Sequence, residues 1–148
     1  MMSATLYELD FYRWTQRQTE LLRFEEWEKL DWRNIAEEIE SLGKRDKRQV
    51  QSRLVVLIAH LLKWQYQPSK RSPSWRKTIK EQRFRLVLVL NDSPSLKTSV
   101  DEFVNFVYSH AVERAADETG LGRKVFPSTC PYRSEQLLDA TFLPDKQL

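Results

Sequence analysis

Three side chains that together suit an acid–base or metal site lie near the middle of this sequence: the carboxylate of Glu38, the guanidinium of Arg53 and the imidazole of His60. Helical spacing puts Glu38 at the edge of one apolar stripe, and Arg53 and His60 at the edge of the next. If Gly43 turns the two helices into an antiparallel hairpin, Glu38 comes to rest beside Gln49 to Arg53. A carboxylate, a guanidinium and an imidazole along one seam form an acid–base or metal-binding arrangement. The competing reading, a structural ion pair with a histidine at the core edge, is favoured by what surrounds these residues. Helical di-metal sites use Glu-x-x-His pairs on two helices, whereas Leu57 and Val107 stand three positions before His60 and His110. No metal or cofactor is therefore expected, and catalytic residues are not identified. Cys130, between Thr129 and Pro131, has no legible base beside it and reads as a packed thiol. The chain contains no Gly-rich phosphate loop, zinc-ligand spacing or serine-hydrolase elbow.

Charge gives the second candidate. From Lys44 to Arg85, thirteen Lys or Arg stand against Asp46 and Glu81, a balance of +11. The rest of the chain carries −8, and the whole +3. Within this block Lys63, Lys70, Arg71, Arg76, Lys77, Lys80 and Arg83 interleave with Trp64, Tyr66 and Trp75. Mobile cations contact phosphates and aromatic rings stack on bases, so the segment is a candidate nucleic-acid surface. The alternative places the tryptophans in the core and pairs the cations with the acidic flanks. No recognised nucleic-acid-binding motif accompanies the charge.

These residues must be positioned by helices. A first helix is expected from about Leu6 to Phe24, capped by Ser3. Asp31 caps a second, with Trp32, Ile35, Ala36, Ile39 and Leu42 on one face and Gly43 at its end. Asp46 and Gln49 resemble a capping box for a third, whose Val50, Leu54, Leu57, Ile58, Leu61 and Trp64 form a stripe wide enough for a central helix. Pro68 stops it. A fourth helix starts at Pro73, with Trp75, Ile79, Gln82, Leu86 and Leu90 facing inward, and the β-branched run Leu86 to Leu90 stays helical. Ser93 and Pro94 open a fifth that bends near Ser99 and closes at Gly120. The tail is irregular apart from a short helix near Ser134 to Asp139, with Phe126, Tyr132, Leu137, Leu138 and Phe142 clamping it down. The fold class is all-α: a single compact bundle of about five main helices, core 6–144, with the C-terminal tail packed across it.

The segments LYELDFYRWTQRQTELLR, WRNIAEEIESLGK, LLKWQYQPSKRSPSWRKTIKEQR, NDSPSL, ADETGL and FPSTCPYRSEQLLDATFLP resemble a bacterial family, domain of unknown function number 29. The resemblance runs in order from Leu6 to Pro144, and KWQYQP with the basic loop and Trp75 is its most specific part. It implies an all-helical domain and assigns no activity or catalytic residue. Where the family usually has a glycine-containing turn after LLR, this chain has Phe24, Glu25 and Glu26, which implies a longer first helix.

At 148 residues, 41% apolar and 30% charged, the chain has the composition of a globular domain. Its longest apolar run, Leu54 to Leu62, is far short of the about 20 residues a membrane span needs. The amino terminus lacks a basic start and an apolar signal core, and a single cysteine excludes an intrachain disulfide. A cytoplasmic location without membrane contact is expected. The functional expectation is a non-enzymatic interaction or regulatory module with a protein partner or a second copy, and the alternatives are nucleic-acid binding or the Glu38, Arg53 and His60 seam.

Overall fold

A computed structural model describes residues 4–145. The described chain is all-α, with no strand. Its helices are α1 (Leu6–Leu9), α2 (Phe11–Arg23), α3 (Trp32–Tyr66), α4 (Pro73–Asp92), α5 (Pro94–Lys97), α6 (Val100–Thr119) and α7 (Ser134–Leu138). Three 3-10 turns lie between them, at Trp27–Lys29, Pro68–Lys70 and Arg123–Val125. Packing divides the chain into two units, one up to Arg45 and one from Asp46 onward.

In the first unit the expected single helix is two. Asp10 takes an extended φ of −150°, ends α1, and accepts the Arg13 N–H at 3.0 Å to cap α2. Its short carboxylate competes for backbone donors, so the helix restarts rather than continues. Ser3 lies outside the described residues, and the Thr5 hydroxyl caps α1 by accepting the Glu8 N–H. The longer first helix is not found either. Glu26 N–H donates to Leu21 O at 2.9 Å and Glu25 N–H to Leu22 O at 3.2 Å. That bonding pattern is a Schellman ending, which puts the carbonyls of the third-last and second-last helical residues to use. Glu25 takes the left-handed position, φ +56°, that glycine normally fills, and so carries backbone strain. Asp31 ties α3 to α2: its Oδ2 accepts from Trp14 Nε1 at 2.9 Å, and its N–H donates to Gln18 Oε1 at 2.9 Å. Trp14, Leu21 and Leu30 are the buried apolar residues here.

The hinge at Gly43 does not exist. α3 runs unbroken for 35 residues, so Asp46 and Gln49 are helix interior rather than a capping box. In the second unit its Val50, Leu54, Leu57, Ile58, Leu61 and Leu62 are fully buried, with Trp64 nearly so. α4 begins at Pro73 as expected, and Ser72, which the sequence reading does not single out, caps it: its Oγ accepts the Trp75 N–H at 3.1 Å. The β-branched run remains helical, with Leu86 and Leu90 buried. The buried stripe of α4 is Ile79, Arg83, Leu86 and Leu90, so the position between the aliphatics belongs to Arg83, not Gln82. The bend near Ser99 separates α5 from α6, and Gly120 closes α6 at φ +76°. Phe126, Tyr132 and Leu137 of the tail are buried in this unit's core, as α7 and its approach require.

Candidate functional site

The three residues of the expected seam each have other company. The turn at Gly43 on which the seam depends is absent, since Gly43 is interior to α3. Glu38 accepts the Tyr7 hydroxyl, and that bond, which favours the neutral phenol, pushes Tyr7 up to about 12. Arg53 donates to Gln82 Oε1 at 3.1 Å. His60 is buried, with Nδ1 at 2.9 Å from Val56 O. Since a carbonyl only accepts, Nδ1 carries the proton. Burial lowers the His60 pKa, Lys63 and Arg114 add to that, and the Val56 carbonyl and Glu118 oppose it. This is a neutral helix-interior histidine. Among the described residues no three His, Cys, Asp or Glu side chains converge as metal ligands. Burial also pushes the Cys130 thiol up, away from the reactive thiolate.

Two of the seven basic candidates leave the surface. Lys63 is 5% exposed and Arg83 3%. Lys63 Nζ pairs with Glu118 at 2.7 Å and lies 4.7 Å from the centre of the Trp75 ring. Burial alone would raise the Glu118 carboxyl, but Lys63 and Arg114 outweigh it and hold it below the usual range. Arg83 Nε donates to Leu137 O at 2.8 Å, satisfying a tail carbonyl from inside the core. The aromatics are committed as well. Trp64 is buried under the guanidiniums of Arg71 at 4.9 Å and Arg76 at 5.4 Å. Tyr66 meets Phe126 edge to face at 5.5 Å.

Lys70, Arg76, Lys77 and Lys80 are exposed, Arg71 is half-buried, and none pairs with a carboxylate among the described residues. Arg71 Nε donates to Trp64 O at 2.8 Å, near the carboxyl end of α3 where a cation is favoured. Its Nη2 is buried with no acceptor, an arrangement that costs about 1–3 kcal/mol when nothing answers it. Trp64, Arg71, Ser72, Pro73 and Arg76 line a surface pocket of about 630 Å³. A second pocket of similar size lies beside Tyr108 and Arg123, and these two side chains are engaged. There Tyr108 donates to Pro127 O at 2.7 Å, and Arg123 pairs with Glu113 at 3.1 Å.

What the sequence concealed is in the first unit. Trp32, Ile39 and Leu42 belong to the apolar face that the spacing of α3 defines, yet they are 57%, 64% and 54% exposed. Leu9, Phe11, Tyr12, Phe24 and Trp27 are exposed as well. Apolar periodicity had marked the face correctly; nothing in it says whether the same chain covers that face.

No helix among the described residues is long and apolar enough to cross a membrane. No curated protein matches the chain, and no solved structure does. The model of one family, described as domain of unknown function DUF29, matches residues 6–143. That span takes in both units and nearly every residue discussed above, and on it the chain belongs to the DUF29 family.

Proposed function

We propose that this protein is a cytoplasmic, non-enzymatic interaction module that docks through the uncovered apolar face of its first unit, and that one partner is a second copy of itself. The carrying observation is the distribution of exposed large apolar side chains. Of the fourteen among the described residues, ten lie before Arg45, in under a third of the chain, which separates this from the scatter normal on a surface. Along α3, Trp32, Ile35, Ile39 and Leu42 are spaced by three, four and three, the seam of a two-stranded coil. Ala36 and Gly43 flank the seam on one side and are small. On the other flank stand Glu38 and Arg45. When two such seams lie antiparallel, with Ile39 of each copy on Leu42 of the other, Glu38 of each copy faces Arg45 of the other. Parallel pairing would set Glu38 against Gly43 instead. The charges thus favour one orientation.

A seam this short supports a weak dimer. Sedimentation velocity from about 10 to about 500 µM, a range bracketing micromolar affinity, is expected to show a concentration-dependent rise in mass. Ile39→Glu with Leu42→Glu should abolish that rise while leaving helicity unchanged. A wild-type chain that stays monomeric throughout removes the self-docking reading. A second reading, nucleic-acid binding, draws support from the unpaired Lys70, Lys77 and Lys80. It requires affinity for mixed oligonucleotides that falls steeply with salt and falls again in Lys77→Gln with Lys80→Gln.

A further inference from the structure

We infer that the pocket between Arg71 and Arg76 binds a phosphate monoester dianion. The inference is independent of the dimer and narrower than nucleic-acid binding, because it concerns one terminal phosphate rather than a polymer backbone.

Two guanidiniums converge on the Trp64 ring, at 4.9 and 5.4 Å. Both cations sit against one ring, and neither Arg pairs with a carboxylate among the described residues. Arg71 is fixed by its bond to Trp64 O, and the buried Nη2 beside that bond still lacks an acceptor. Ser72, also lining the pocket, uses its oxygen to accept the Trp75 N–H, which leaves its hydroxyl proton to donate outward. The site therefore offers two positive charges and several N–H and O–H donors, and no carboxylate is among its lining residues. Guanidinium forks match phosphate oxygens geometrically, and two of them balance a dianion, where a carboxylate would leave one charge over. The Trp64 ring lies under the two cations and is closed to a stacking base, so recognition falls on the phosphate and not on what it is attached to. The exposed Lys70, Lys77 and Lys80 raise the local anion concentration without entering the pocket.

The test is NMR observation of the Arg Nε–H resonances of the full chain, titrated with inorganic phosphate at constant ionic strength. The Arg71 and Arg76 signals should shift saturably by about 20 mM phosphate, consistent with millimolar affinity, and chloride at matched ionic strength should not move them. Arg76→Gln, an exposed position, should weaken binding at least about tenfold, whereas Arg85→Gln, on the same helix outside the pocket, should leave it unchanged. Affinity for a small phosphate monoester should drop between pH 7.5 and pH 5, as the second ionisation of the ester at about 6 is reversed. A small phosphate monoester should bind like inorganic phosphate and a phosphodiester more weakly. An oligonucleotide lacking terminal phosphate that shifts the same signals more strongly than the monoester would overturn the inference in favour of backbone binding. No saturable shift, an equal response to chloride, or an unaltered Arg76→Gln affinity would overturn it outright.

Discussion

His60 shows how a residue with chemical potential is put to structural use. Its ring is buried, its Nδ1 proton is taken by Val56 O, and burial disfavours its charged form. The unfolded chain protonates His60 near its ordinary value of 6.5, while the folded chain resists. Stability is therefore unaffected above that value and lost as pH falls below it, by at most about 1.4 kcal/mol per pH unit for one proton. Thermal melts between pH 7.5 and 5.5 should show the decline, and His60→Gln should flatten it. Glu118 and Asp31 add their own loss only further down, since their carboxyls are held below ordinary values of 4.5 and 3.8. Lys63 and Arg83 teach the same lesson about cations. In sequence they count toward a basic surface; in the fold one closes on Glu118 and the other on Leu137 O. A signal for Arg83 was present, because Ile79, Arg83, Leu86 and Leu90 follow the four, three, four spacing of a buried stripe. Arg83 fits that stripe better than Gln82, but hydropathy alone speaks against placing an arginine there. For Lys63 no local signal exists, since its partner is 55 residues away.

At the scale of elements, boundaries marked by a positive chemical device were legible. Pro73 starts α4, and Gly120 stops α6 in a left-handed turn, both as the residues require. Gly43 has the residue type of such a stop and lies inside α3 instead. Glycine inside a helix weakens it by only about 1 kcal/mol relative to alanine, and the helical residues on either side carry α3 through it. A Cβ added at Gly43 would meet nothing within 4 Å. Gly43→Ala is thus expected to raise stability by about 0.5–1 kcal/mol, read as a higher urea midpoint. A hinge at this position would make the same substitution neutral or damaging. Asp10 errs in the other direction: it looked like one polar residue in a helix and instead caps the next. Whether a short carboxylate interrupts or decorates a helix depends on how much packing holds the turn, and none of the α1 residues is buried.

The molecule as a whole is all-α, and its greasy ridge from Val50 to Trp64 is covered as its width demands. The first unit differs. Its apolar stripe on α3 has the same periodicity as the buried ridge but no cover of comparable extent, with Ile39 the most exposed of the seam. Sequence periodicity reports which side of a helix prefers to leave water, and only the assembled structure reports whether it has done so. The arrangement of Glu38 and Arg45 beside that stripe supports a second copy as its cover. Charge reversal across the seam tests this most directly. Glu38→Arg gives a chain with two positive flanks, and Arg45→Glu one with two negative flanks, so each repels itself. Either variant alone should sediment as a monomer at concentrations where the unmodified chain dimerises, and an equimolar mixture should recover the dimer by pairing Arg with Glu at both ends. A mixture no more associated than its separate components would contradict the account.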